Sequence, residues 1–538
     1  MMPSGHVDTF CRDSLPARDQ WPELVFDIED VHYPERLNCV TELLDRVIER
    51  HGPVRPCLRT ANGGVSTYGD VLREVERTCH VLCDRYGIVP GSRILLRAPN
   101  NPRLTVAWLA TLRVGAVAVT TMPMLRAGEL STLAEIARVN LALCDDRFVD
   151  DLRAADLGTA PLVTFDQLAA VSAEQRGTPF PPADTAADDV ALLAFTSGTT
   201  GRPKATMHFH RDVLAIADTF GRHVVRIEPD DIVTGTPPLA FTFGLGGLLI
   251  FPMRVGASTL LLERVTPDEL ATAIHTHGVT VCFTAPTAYK SMLTAGGADR
   301  LRGLRRGVAA GEHLPRSTWQ AFYDATGVRL IDGIGSTEML HVFISAADDD
   351  IHPGATGVEV PGYHATILDA DGHPVPIGSP GRLAVKGPTG CRYLADERQR
   401  VYVQNGWNLT GDIYVQDKDG YFIFVARGDD MIVSSGYNIA GPEVEEVLAE
   451  HPAVAECAVV AAPDPARGHI VKAYIVVAAG VTGDDALISE LQDFVKRSIA
   501  PYKHPRAIEF LAALPRTSSG KVQRYVLRDL AASAPEAS

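Results

Sequence analysis

The sequence predicts an α/β protein: a large N-terminal domain of layered sheets and helices that includes a β-rich subdomain, followed by a small α+β C-terminal domain. Three observations lead there. At 538 residues the chain is longer than one core usually organises, so several domains are expected. Short apolar runs alternate with amphipathic helical stretches through the first two-thirds, the pattern of layers built on mainly parallel sheets. The texture then changes twice, near residue 356 and again near 429.

Taken in order, Cys39–His51 and Tyr68–Tyr86 carry apolar residues at helical spacing. The runs at 93–98, 117–122, 141–146 and 162–165 (RILLRA, VAVTTM, LALCDD, LVTF) read as buried strands. Residues 172–189, rich in Pro, Ala and Asp, read as a surface connection. A second series of strands is expected near 190–195, 232–236, 258–262, 279–283 and 328–331. From about 356 to 425, the turns DADG, PIGSPG and QDKDG separate short strands, which makes this stretch the β-rich subdomain. The last segment reads as a helix (GPEVEEVLAEHPAV), two strands (AECAVVAAPD, KAYIVVAAG), a helix (DALISELQDFVKRSI) and a strand (AIEFLAALP). The N-terminal domain is drawn as 1–428 and the C-terminal domain as 429–538.

Lys plus Arg number 50 against 66 Asp plus Glu, a net charge of −16. Such a balance repels phosphate backbones and anionic lipid, so neither nucleic acid nor membrane is an expected partner. Nine scattered cysteines without a CxxC pair suit neither a disulfide framework nor a zinc site. The start, MMPSGHVDTFCRDSL, lacks the apolar segment of a signal peptide. Phe241–Met253 is too short, and too broken by glycine and proline, to cross a bilayer. A cytoplasmic protein is expected.

The apolar run 190–195 is followed at once by Thr196, Ser197, Gly198, Thr199, Thr200, Gly201, Arg202, Pro203 and Lys204. Glycines let backbone N–H groups converge on an anion, while hydroxyls and an ammonium add donors, as a triphosphate requires. The glycine spacing and Pro203 exclude a Walker A loop.

This segment resembles motif A3 of the adenylate-forming superfamily, which comprises acyl-CoA synthetases, adenylation domains and luciferases. Asp332-Gly333-Ile334-Gly335-Ser336-Thr337-Glu338 resembles A5, and Gly406–Asp412 (GWNLTGD) resembles A7. Arg427–Ile432 with Ser435-Gly436-Tyr437 resembles A8, and Pro515–Lys521 (PRTSSGK) resembles A10. The resemblance implies ATP, Mg²⁺ and CoA: a carboxylate attacks the α-phosphate, pyrophosphate leaves, and a thiol then displaces AMP. It assigns the 196–204 loop to the phosphates, Thr337 to the α-phosphate and Glu338 to the metal. It assigns Asp412 to the ribose hydroxyls and Arg427 to ribose or phosphate. Ala310-Gly311-Glu312 and Asp332-Gly333-Ile334 would flank the adenine. Lys521 would neutralise charge during adenylation, Asp429 would be the hinge of a mobile C-terminal domain, and Ser435, Gly436 and Tyr437 would line a pantetheine tunnel.

Within the superfamily, Pro238–Gly246 (PLAFTFGLG) and Gly335–His341 (GSTEMLH) resemble benzoate–CoA and 2-aminobenzoate–CoA ligases. Phe241, Thr242, Phe243, Gly246, Ala310, Gly335 and His341 are therefore the expected aryl-acid pocket. Thr242 and Phe243 depart from the alanine and tyrosine of benzoate ligases, and the extra hydroxyl favours 2-aminobenzoate or 2-hydroxybenzoate. Three other readings stay open at this point: loading of a carrier protein's phosphopantetheine, a phosphotransferase or NTPase, and a non-catalytic nucleotide binder. Monomer and homodimer are equally compatible with the sequence.

Overall fold

A computed structural model describes residues 3–175, 177–196, 202–434, 437–464, 467–516 and 521–533. Two sheets organise the N-terminal part, and the expected α/β class is what forms. The first is six-stranded, in the order Leu162–Thr164, Leu141–Cys144, Arg93–Arg97, Val117–Thr121, Val190–Thr196, Lys204–Phe209. Its strands run parallel except Lys204–Phe209, which returns antiparallel along Val190–Thr196. The second is nine-stranded, with a parallel centre from Pro56–Thr60 through Ser258–Leu261, Ile232–Gly235, Val281–Thr284 and Arg306–Ala310 to Leu330–Gly335. Antiparallel strands, Val65–Thr67 at one side and Val342–Ser345 with Val358–Glu359 at the other, close its edges.

Local chemistry sets the helices. Thr67 and Asp70 form a capping box at the head of Tyr68–Asp84, and Asn101 with Pro102 starts Pro102–Arg113. Around the six-stranded sheet, Leu95, Val119, Ala142, Leu193 and Met207 share one core cluster. Against the nine-stranded sheet, Cys282, Ala309 and Leu330 pack with Tyr289, Trp319 and Phe322. Strands buried on both faces explain why these runs are continuously apolar instead of alternating.

The chain divides into two compact units: residues 1–365 with 384–409, and 366–383 with 410–538. The division cuts through the stretch of short strands that the turn-rich sequence predicts, among them His364–Leu368, Gly381–Lys386 and Trp407–Gln416. In the second unit Val454–Asp464 pairs antiparallel with Gly468–Val477, which pairs parallel with Ala507–Phe510. Helices Gly441–Ala449, Asp485–Ser498 and Arg524–Ser533 complete it. The helix expected over 441–454 ends at Ala449, and the strand expected over 507–515 ends at Phe510. No helix among the described residues is long and apolar enough to cross a membrane.

Candidate active site

The glycine- and threonine-rich segment joins two neighbouring antiparallel strands. Thr196 and Lys204 are register partners at the mouth of this hairpin, and Ser197, Gly198, Thr199, Thr200 and Gly201 lie outside the described residues. Strand alternation puts Lys204, Thr206 and His208 on one face. From that face Lys204 Nζ lies 3.5 Å from Glu338 Oε1, and His208 Nε2 donates to the Thr337 carbonyl at 2.8 Å. Behind His208 stand Asp212 and Arg392, ion-paired and, like His208, fully buried. Against the upward push of burial, Arg392 holds the Asp212 carboxyl below its ordinary value.

Thr337 and Glu338 sit in the turn between Leu330–Gly335 and Val342–Ser345. Ser336 Oγ accepts from the Met339 N–H at 3.2 Å, and the Thr337 carbonyl accepts from the Leu340 N–H at 3.1 Å. Leu340 has φ +68° although it is a buried leucine, a conformation that non-glycine residues hold at a cost of about 1–3 kcal/mol. Glu338 is 7% exposed, and Tyr393 Oη donates to its Oε1 at 2.5 Å.

His341, which follows Leu340, enters an aromatic cage. Its ring centroid lies 4.7 Å from Phe251, 5.3 Å from Phe220 and 5.6 Å from Phe243. The closest approach comes through Gly246, where an added Cβ would fall 2.3 Å from His341 Cδ2; only glycine fits. Gly246 opens a π-helical segment, Gly246–Ile250, between Thr242–Leu245 and Phe251–Val255. Such wide turns concentrate at functional sites. Phe241, Thr242 and Phe243 are half-buried at its head. Burial pushes the His341 imidazole down to about 3, so the ring is neutral. Its Nε2 lies 3.4 Å from the Phe243 carbonyl, and its buried Nδ1 has no hydrogen-bond partner among the described residues.

Ala310 closes the strand Arg306–Ala310, and Gly311 turns with φ +90°. Glu312 Oε1 accepts from Thr287 Oγ1 at 3.3 Å. Gly333 pairs with Ala310 across the parallel ladder, so Ala310–Glu312 and Asp332–Ile334 emerge side by side. Burial pushes the Asp332 carboxyl up to about 8.

In the second unit Asp412 and Arg427 are cross-strand partners, with Arg427 Nη1 donating to Asp412 Oδ1 at 3.0 Å. Asp412 is 6% exposed; burial raises its carboxyl against the pull of Arg427 and, more weakly, of Lys521. Lys521 itself is exposed, next to an isolated bridge between Arg516 and Val522. Asp429 lies in the 3₁₀ turn Gly428–Asp430, and Tyr437 opens the strand Tyr437–Ala440. Ser435 and Gly436, and the side chains of Asp429 and Tyr437, lie outside what the structure describes.

Two residues absent from the sequence reading belong to this geometry, Tyr393 and His208. His208 carries a signal in hindsight, standing four residues beyond Lys204 on the same strand face. Tyr393 carries none, because its partners come from distant segments. Among the described residues no cluster of three His, Cys, Asp or Glu side chains could hold a metal alone. Mg²⁺ bound with a nucleotide takes one or two carboxylates and completes its shell with phosphate and water, and the lone carboxylate of Glu338 fits that donor set.

The sequence matches the AMP-binding enzyme family over residues 44–393 and the AMP-binding enzyme C-terminal domain over 443–521. It is 33% identical over 516 residues to a benzoate–CoA ligase of Thauera aromatica, covering 93% of this chain and 97% of that one. The crystal structure of an anthranilate CoA ligase in complex with anthranoyl-AMP superimposes with a TM-score of 0.87 at 32% identity, covering 94% of this chain and 99% of that one. A benzoate CoA ligase from Burkholderia xenovorans LB400 gives 0.83 at 30% identity, with coverage of 91% and 100%. The chain therefore belongs to the AMP-binding, adenylate-forming enzymes, close to the benzoate–CoA ligases, and is an AMP-forming acid–thiol ligase.

Proposed function

We propose that this enzyme couples a benzoate-type acid to coenzyme A in the cytoplasm, with 2-aminobenzoate or 2-hydroxybenzoate preferred to benzoate. The observation that carries the reading is the turn 335–341. It presents Glu338 toward Lys204 and the Thr337 carbonyl toward His208 on one side and inserts His341 among three phenylalanine rings on the other. A group suited to phosphate and metal is thus joined by three residues to an aromatic slot. The likeness to benzoate and anthranilate CoA ligases supports the same assignment.

A carboxylate is a poor electrophile, so the thiol needs a leaving group, and AMP supplies it. Lys204 and the 196–204 loop hold the β- and γ-phosphates, and Thr337 meets the α-phosphate. Glu338 would hold Mg²⁺, which when bound neutralises phosphate charge. Asp412 accepts from the ribose hydroxyls and Arg427 steadies it. Ala310–Glu312 and Asp332–Ile334 flank the adenine. Lys521 stabilises the charge that gathers as the acid attacks. The C-terminal domain then turns about Asp429, so that Lys521 withdraws and Ser435–Tyr437 admit the pantetheine thiol.

In the acid pocket a polar atom of the substrate is the partner that His341 Nδ1 lacks. The Thr242 hydroxyl favours an ortho amino or hydroxyl group, since leaving such a polar group unmatched costs about 1–3 kcal/mol. The test is a panel of aryl acids assayed for pyrophosphate release with CoA, with a holo carrier protein, and with neither. We expect AMP and pyrophosphate rather than ADP and phosphate. We expect kcat/KM for 2-aminobenzoate or 2-hydroxybenzoate to exceed that for benzoate about tenfold. Benzoate winning by that margin would rule out the role given to Thr242, and failure of every acid on the panel to release pyrophosphate would sink the whole reading.

A further inference from the structure

Lys204 and Glu338 are bridged by a third group. Tyr393 Oη accepts from Lys204 Nζ at 2.6 Å and donates to Glu338 Oε1 at 2.5 Å, while ammonium and carboxylate stand 3.5 Å apart. Nζ also lies 4.6 Å from the centroid of the Tyr393 ring, a cation–π distance. Tyr402 packs edge-on against that ring at 5.9 Å. The tyrosine is fixed in place: it is fully buried, and its backbone N–H donates to Gln399 Oε1 at 2.9 Å. Gln399 is anchored in turn to the Gln20 and Cys391 carbonyls at 2.8 and 3.1 Å.

We propose that Tyr393 is a positioning residue for the nucleotide step: its hydroxyl holds Lys204 and Glu338 on one atom and keeps them from closing on each other as a contact ion pair. The inference rests on the reading that Lys204 receives phosphate and Glu338 receives its magnesium. A contact pair between ammonium and carboxylate settles at about 2.7–2.9 Å, and inside a protein both partners must be re-paired before either can leave. The phenol satisfies each charge separately. When the ammonium turns to phosphate, the hydroxyl still donates to Oε1, and Oε2 remains for a cation.

Tyr393→Phe keeps the ring and removes the hydroxyl. In the full-length enzyme, equilibrium binding of MgATP is measured by calorimetry, and pyrophosphate exchange is titrated with free Mg²⁺. A third assay follows thiolysis of a supplied aryl-AMP. The Kd and KM for MgATP are expected to rise about 10- to 100-fold, with kcat changed far less. The Mg²⁺ midpoint shifts upward, and thiolysis stays at the wild-type rate. Unchanged MgATP affinity and Mg²⁺ midpoint beside a lowered Tm would make Tyr393 merely structural and overturn the proposal, as would equal losses in both half-reactions. If the phenylalanine variant does not fold, 3-fluorotyrosine at position 393 keeps the shape and acidifies the hydroxyl. An altered MgATP affinity with thiolysis intact then supports the proposal, and an unaltered one overturns it. Failure of the wild type to release pyrophosphate would sink the proposed function instead, so the two failures are told apart by which protein shows them.

Discussion

Leu340 accepts a left-handed backbone even though a buried leucine gains nothing by it except the direction given to His341. Such strain persists only where the surroundings over-determine it, and here the Thr337 carbonyl and the aromatic cage do so. Asp332 offers a second measurable strain. Its carboxyl stays protonated in the folded enzyme up to about 8, whereas in an unfolded chain it ionises near its ordinary value. Between those limits the folded state binds the extra proton, so stability falls as pH rises through the window. Asp332→Asn should remove that slope: its denaturant midpoint relative to wild type should climb steadily from about pH 4 to pH 8. A constant difference across the range would show that Asp332 is ionised in the fold. At this scale short motifs singled out Glu338, Asp412 and Arg427, and the structure places Glu338 beside Lys204 and Arg427 on Asp412, while the chemistry assigned to them belongs to the proposal. The sequence was silent on Tyr393, whose neighbours Lys204 and Glu338 lie 189 and 55 positions away.

The strand Lys204–Phe209 is the element on which the first unit's site depends. One face delivers Lys204 to the Glu338 carboxylate and His208 to the Thr337 carbonyl, gripping the turn at two points. His208→Leu should lower the adenylation rate about tenfold by removing one of the two donors that hold the Thr337 carbonyl. His208→Gln, which keeps an N–H at similar reach, should recover part of it, and a pyrophosphate-exchange assay beside thermal unfolding separates positioning from stability. Strands with continuous apolar runs, such as Arg93–Arg97 and Val190–Thr196, were readable from the sequence. Lys204–Phe209 and Arg306–Ala310 were not, because KATMHF and RGVAA mix polar or small residues into buried positions that tertiary contacts fill.

For the molecule as a whole, the two-step chemistry separates the work of its parts. Lys521→Ala should cripple pyrophosphate release from ATP and acid by about 100-fold or more while leaving thiolysis of supplied aryl-AMP largely intact. Equal loss in both half-reactions would deny the proposed alternation about Asp429. The hairpin at Thr196 and Lys204 has one more consequence. The phosphate loop of a Walker NTPase ends at a helix whose macrodipole offers about half a positive charge to the anion. Here the exit is a strand, and strand dipoles largely cancel. On the proposed assignment of this segment to the triphosphate, affinity leans more on discrete cations than in a Walker loop, and MgATP binding should fall steeply as ionic strength rises.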